Sequence, residues 1–282
     1  MKKCVVTGPT SGIGLATSFE MAKLKYHLIL IGRNEKKLEK LKKKLTKNTK
    51  NTHIDFFVAD LSQINEVKQV AEDIKAKFSE IDILINNAGV YQFKRKTVNE
   101  MELTFVVNHL AYFILTLKLL PLLKQNKNQT RIVNVSSNGH YGVKFNFDDY
   151  NREIKYKGFQ VYCETKLANL LFTYKLVDLL EEHKINNVTV NAVHPGVVRT
   201  NLVRSVPIIG KLFKLNPILK NAKDGAQTTV FVATSSETAG ITGKYFANKK
   251  EHKSSEESFN KENQDKLWKL SEKITDTSFN LD

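Results

Sequence analysis

The sequence predicts a single-domain α/β protein built on a doubly wound parallel sheet. Short apolar runs rich in Val, Ile and Leu alternate along the 282 residues with longer segments of helical periodicity. Each run is apolar almost throughout, as a strand covered on both faces must be. The first run opens directly into a glycine-rich turn, "TGPTSGIG", and then a helical pattern. With 41% hydrophobic and 26% charged side chains the chain can bury one sizeable core, so residues 1–282 are expected to form one domain.

Taken in order, "KCVVT" and "HLILIG" read as the first two strands. In "KKLEKLKKKLTKNTK", Leu38, Leu41 and Leu45 recur at helical spacing and the lysines take the other face, a solvated amphipathic helix. "IDFFVAD", "IDILINNAG", "RIVNVSS", "NVTVNAVHPG" and "GKYFA" supply further strands, with helical patterns over 64–78, 100–123 and 161–182. The polar stretch "NKKEHKSSEESFNKENQDK" reads as a surface loop leading to a final helix around Trp268.

The formal charge of +15 raises nucleic acid or an anionic membrane as partners. The lysine-rich helix accounts for much of it, and no aromatic residues interleave with those charges as stacking platforms, so no nucleic-acid partner is expected. Cys4 and Cys163 offer neither a disulfide framework nor a ligand set; no metal is expected, and a reducing compartment fits. The amino terminus turns glycine-rich after a short apolar run, unlike an export signal, and no stretch reads as a membrane span. The expected location is cytoplasmic, with peripheral contact at a membrane surface compatible with the charge.

The turn after the first strand places Gly8, Gly12 and Gly14 where a pyrophosphate would approach backbone N–H groups at a helix N-terminus. A dinucleotide fold selective for NAD ends its second strand on a carboxylate for the ribose 2′-hydroxyl. Here that strand ends "LIGRNEKK": Arg33 follows Gly32, and its fixed guanidinium charge suits a 2′-phosphate. The expected cofactor is NADP(H), with Lys36 or Lys37 as helpers. In "VYCETKLANLLF", Tyr162 and Lys166 stand at i and i+4, on one helical face. A neighbouring ammonium and a positive nicotinamide both favour a phenolate, so Lys166 together with the bound cofactor is expected to lower the Tyr162 pKa.

These segments together resemble the short-chain dehydrogenase/reductase family, whose fold is of Rossmann type. The resemblance rests on "TGPTSGIG", Asp60 in "AD", "NNAG", Asn108 in "VVNHLAYF", Ser137 in "VNVSS", Tyr162 and Lys166 in "YCETK", and "HPGVVRT". "YCETKLANLLFTYKL", "HPGVVRTNL" and "LWKLSEKIT" are similar to the retinol dehydrogenase and carbonyl reductase branch, as is the long spacing between Ser137 and Tyr162.

The resemblance implies catalysis by Asn108, Ser137, Tyr162 and Lys166. It implies cofactor contacts from Gly8, Ser11, Gly12, Ile13 and Gly14, from Asp60 and Leu61 on the adenine side, from Asn87, Ala88 and Gly89, from Tyr162 and Lys166, and from Pro195, Gly196, Val198 and Thr200. Tyr162 would exchange a proton with the substrate oxygen, Ser137 would stabilise the developing alkoxide, Lys166 would hold the nicotinamide ribose, and Asn108 would position a water. Of the serine pair, the family motif selects Ser137 over Ser136, while Asn86 is expected to stabilise the sheet. His109, His140 and His194 are expected to be packing or loop histidines.

The apolar and basic segment "NLVRSVPIIGKLFKLNPILKNAKDG" lies where the family places a substrate lid, which points to a lipophilic aldehyde or ketone and its alcohol. A narrow retinol or steroid dehydrogenase and a non-catalytic NADP sensor are the alternatives. A homodimer or homotetramer would be in keeping with the family.

Overall fold

The computed structural model describes residues 1–196 and 221–280. An eight-stranded sheet runs in the order β3 (Ile54–Val58), β2 (His27–Gly32), β1 (Lys3–Thr7), β4 (Ile83–Asn86), β7 (Thr130–Val135), β8 (Val188–His194), β9 (Tyr245–Ala247), β10 (Lys250–His252). All pairs are parallel except β9 with β10. Strand order reverses between β1 and β4, so the ligand crevice of such a sheet lies beyond their carboxyl ends.

Alternation along β1 shows why both faces are covered. Val5 packs with α3 (Ile64–Lys77), α4 (Leu103–Lys124), α5 (Gly158–Glu182) and Trp268 of α7 (Lys261–Thr275). Cys4 and Val6 pack on the other face with α1 (Gly12–Lys23), α2 (Glu35–Thr49) and α6 (Ala222–Thr234). Leu38, Leu41 and Leu45 are the buried stripe of α2, as their spacing predicts.

Three expectations need correction. Helix α4 is, by length and composition, apolar enough to cross a membrane. Most of it is buried inside the domain, and its apolar surface meets the sheet and α3 instead of lipid. It begins at Leu103, because residues 97–102 form a small hairpin, β5 (Thr97–Val98) and β6 (Met101–Glu102), that turns through Asn99 and Glu100, both at positive φ. The supposed polar loop near the end contains β10, joined to β9 by Asn248 and Lys249, also at positive φ. Its three residues are exposed and polar, the composition of a guarded sheet edge, which is why no apolar run announces it.

The segment between Ser137 and Tyr162 is pinned to α5 by a buried ion pair between Arg152 and Glu164. Gln160 Nε2 also donates to Glu164, at 2.8 Å. Arg152→Ala strands that carboxylate, and should lower the unfolding free energy by roughly 3 kcal/mol or more, read by chemical denaturation.

Candidate active site

The predicted positions gather beyond the carboxyl ends of the parallel strands, each delivered by a different connection. Gly8 to Gly14 join β1 to α1, Arg33 follows β2, Asp60 and Leu61 follow β3, and Asn87 to Gly89 follow β4. Ser137 follows β7, Pro195 and Gly196 follow β8, and Asn108 sits on α4 with Tyr162 and Lys166 on α5. Val198, Thr200 and the expected lid side chains Val206, Ile208, Ile209, Leu212, Phe213, Leu215, Ile218 and Leu219 lie outside the described residues.

The glycine turn is built by close approach. Gly8 takes φ 65°, and a Cβ on Gly14 would lie 2.2 Å from Gly8 O and 2.4 Å from Asn87 Nδ2. The Thr7 hydroxyl accepts the N–H groups of Asn87 and Ala88, each at 2.9 Å, and Asn87 Nδ2 donates to Thr7 O at 2.8 Å. Thr7, which opens the "TGPTSGIG" turn, therefore locks the β4 loop to it.

Helix α1 starts at this turn without a side-chain cap or an acid in its first turn, whereas α2 is capped by Asn34 and α7 by Asn260. Uncapped N–H groups at a positive helix end, approached across glycine, fit the pyrophosphate of a dinucleotide. Arg33 is exposed beyond β2 and makes no ion pair with the described residues. Asp60 is half-buried, and its Oδ1 accepts the Ser62 N–H at 3.0 Å.

At the opposite end of the crevice, α5 brings Tyr162 and Lys166 to one side. Ser137 lies near enough to the Tyr162 phenol to favour its ionised form, and its Oγ accepts the Gly139 N–H at 3.1 Å. Ser136 instead donates to Lys166 O at 2.7 Å and is buried, so it anchors the helix and leaves Ser137 at the phenol. Lys166 Nζ donates to Val135 O at 3.1 Å and lies 5.5 Å from the Tyr162 ring centre. A Cβ on Gly89 would stand 3.7 Å from Lys166 Nζ and 3.5 Å from Asn108 Oδ1, so the β4 loop, α4 and α5 border one space.

Asn108 occupies a π turn, Val106–Leu110, within α4. Its side chain accepts from Val90 N at 2.7 Å and donates to Val90 O at 3.0 Å and Thr165 Oγ1 at 3.1 Å. Two aromatic residues to which the sequence analysis gave no role complete the site. Tyr112 donates to Ala88 O at 2.7 Å, and Tyr91 meets the Tyr162 ring edge-on at 6.2 Å. The position of Tyr112, four residues after Asn108 on one helix, is the signal that could have found it.

Asn86 bonds Thr116 and Asn134, each at 2.9 Å, across the sheet centre, the structural place expected of it. His140 and His194 clamp the Ser137 turn: His140 Nδ1 lies 2.6 Å from Ser137 O, and His194 Nδ1 accepts from Asn138 N at 3.2 Å. His109 is buried, stacked on Phe105, and burial pushes its pKa down to about 3.

Without a bound cofactor, burial governs the electrostatics of the pair. Burial, followed by the neighbouring Cys163, pushes the Tyr162 pKa up to about 12, outweighing the lowering by Ser137, and burial lowers Lys166 to about 7. Desolvation disfavours both charged forms before either can stabilise the other. For stability the sign is fixed. Between about 7 and the ordinary 10.5, the unfolded chain holds the Lys166 proton that the folded chain has lost, so this group adds stability as pH rises through that window. Lys166→Met should remove that slope, and the stability of wild type relative to the variant should climb from pH 7 upward in denaturation curves.

A family model of short chain dehydrogenases matches residues 2–207. The chain belongs to the short-chain dehydrogenase family. It is 36% identical over 278 residues to polyprenol dehydrogenase of Homo sapiens, spanning 96% of this chain and 84% of that one. It is 37% identical over 272 residues to retinol dehydrogenase 12 of Homo sapiens, spanning 96% and 85%. Among solved structures, an uncharacterized protein from Mycobacterium Paratuberculosis aligns with a TM-score of 0.81 at 27% identity, covering 100% of this chain and 96% of that one. A short chain dehydrogenase from Escherichia coli CFT073 complexed with NADPH shares the fold, with a TM-score of 0.69 at 24% identity over 87% and 95%. This short-chain dehydrogenase is thus an oxidoreductase of the retinol dehydrogenase branch, and its cofactor is a nicotinamide dinucleotide.

Proposed function

We propose that this short-chain dehydrogenase reduces a lipophilic aldehyde or ketone with NADPH, and oxidises the corresponding alcohol in reverse. The observation that carries the reading is the Tyr162 phenol, with Ser137 beside it and Lys166 Nζ 5.5 Å from its ring centre, at the end of a crevice whose other end is the open start of α1. The nicotinamide supplies or accepts the hydride when bound there.

With a pKa of about 12, Tyr162 is a neutral donor at physiological pH and can give its proton to a carbonyl oxygen as charge develops. Ser137 offers that oxygen a second hydrogen bond, which strengthens as an alkoxide forms. Lys166 Nζ, held on Val135 O, faces the space beside Gly89 where ribose hydroxyls would sit. Asn108, its side-chain groups already engaged by Val90 and Thr165, contributes by fixing the β4 loop.

A lipophilic substrate is supported by retinol and polyprenol in the names of two relatives, both apolar isoprenoid alcohols. Arg33 supports NADP(H) over NAD(H), since a guanidinium beyond β2 stabilises a 2′-phosphate and offers nothing to a bare 2′-hydroxyl. We read the protein as cytoplasmic, as self-associating into a dimer or tetramer, and as having no nucleic-acid partner. Titration followed by nicotinamide fluorescence tests the cofactor assignment. NADPH should bind more tightly than NADH, and Arg33→Ala should weaken NADPH by about tenfold while leaving NADH unchanged; equal binding of both by wild type would refute it.

A further inference from the structure

Beside the site lies a surface whose composition the reductase chemistry does not use. Residues 93–96 after β4 and residues 153–159 before Tyr162 run side by side. Arg95 Nε donates to Asn151 O at 3.1 Å, its guanidinium pairs with Glu153 at 3.7 Å, and the Tyr156 hydroxyl donates to Gln92 O at 3.0 Å. The two segments are so close at Gly158 that a Cβ there would lie 2.1 Å from Gln92 O.

The two paired segments carry three large exposed apolar side chains, Phe93 at 55% exposure, Ile154 at 85% and Phe159 at 69%. The same segments carry Lys94, Lys96, Lys155 and Lys157, all exposed and without an ion pair among the described residues. The one acid in the two segments, Glu153, is the partner of Arg95. The backbone beneath is fixed, because Asp149 accepts the N–H groups of Glu153, Ile154 and Lys155 at 2.8 Å, 3.2 Å and 3.2 Å. The patch is therefore preformed.

We infer that this face docks on an anionic lipid bilayer, with Phe93, Ile154 and Phe159 inserted at the headgroup boundary and the four lysines against lipid phosphates and carboxylates. Apolar side chains that enter the acyl boundary, ringed by lysines that stay with anionic headgroups, meet both requirements of a bilayer surface. A protein partner fits less well, because lysine is depleted from protein interfaces. The patch also borders the site: Phe159 stands one helical turn before Tyr162, and Tyr91, which meets the Tyr162 ring, lies two residues before Phe93. A lipophilic substrate dissolved in the bilayer would then reach Tyr162 without crossing bulk water. That consequence rests on the reading of the substrate, but the docking does not.

Flotation of the full chain with vesicles tests the inference without any turnover. The probes are phosphatidylcholine alone and phosphatidylcholine with roughly 30 mol% phosphatidylserine. Wild type should float with the anionic vesicles and stay behind with the neutral ones. The Phe93→Ser, Ile154→Ser, Phe159→Ser triple variant should lose about tenfold or more in partitioning. Its melting temperature should be nearly unchanged, because all three side chains are exposed. Lys94→Glu with Lys155→Glu, which leaves the apolar residues intact, should abolish the preference for anionic vesicles.

Failure of wild type to float, or flotation of the triple variant at the wild-type level, would overturn the inference. So would a triple variant that sediments as a smaller species than wild type in the absence of lipid, which would make the patch an interface between protein copies. A reductase that turns over but does not float separates this failure from failure of the proposed function.

Discussion

Tyr162→Phe should lower kcat for NADPH-dependent carbonyl reduction by about 10²- to 10⁴-fold and leave NADPH affinity close to wild type. The substitution removes only the hydroxyl, the proton donor in the proposed reaction, and keeps the ring that packs edge-on against Tyr91. Removing one hydroxyl while the ring keeps its packing costs on the order of 1 kcal/mol of stability, so the melting curve should shift by only a few degrees. Steady-state kinetics together with a fluorescence titration check both parts. A kcat within a few-fold of wild type would place the proton elsewhere, and parallel loss of binding and turnover would make Tyr162 a structural residue.

Gly14→Val should have the second large effect, at the opposite end of the crevice. A Cβ at this position would lie 2.2 Å from a backbone oxygen, and neither Gly8 nor the Asn87 amide at 2.4 Å can retreat, since Asn87 is bonded to Thr7. The turn must open. Overpacking of this kind costs about 1–3 kcal/mol, and the N–H groups at the start of α1 lose their aim. NADPH affinity should fall by about a hundredfold or more, measured by the same titration alongside a denaturation curve. Wild-type NADPH affinity in this variant would show that the α1 turn does not hold the cofactor.

The fold was legible because burial on both faces demands near-continuous apolar strands, and the β1, β2, β4, β7 and β8 segments all carry that mark. Strand β10 was not, because an exposed edge strand of Lys250, Glu251 and His252 needs no apolar residue. The membrane-like composition of α4 was not recognised in the sequence; its place in the core depends on tertiary neighbours that length and hydropathy do not encode.

At the site, the i, i+4 spacing gave the shared face of Tyr162 and Lys166. Their protonation without a bound cofactor is not legible from the spacing, because desolvation is set by the whole surroundings, such as Val135 and Tyr112 around Lys166, and not by the pair alone. The same limit applies to Thr7 and Tyr112, whose hydroxyls act on the β4 loop from distant parts of the chain.

The most direct test of the central claim is to mix the purified protein with NADPH and retinaldehyde, as a long apolar aldehyde, and follow the reduced-nicotinamide absorbance while quantifying the alcohol formed. The account predicts loss of absorbance matched one for one by alcohol, and abolished in Tyr162→Phe. Bound NADPH that is never consumed, with retinaldehyde or with other apolar aldehydes and ketones, would contradict it and leave a cofactor-binding protein without reductase chemistry.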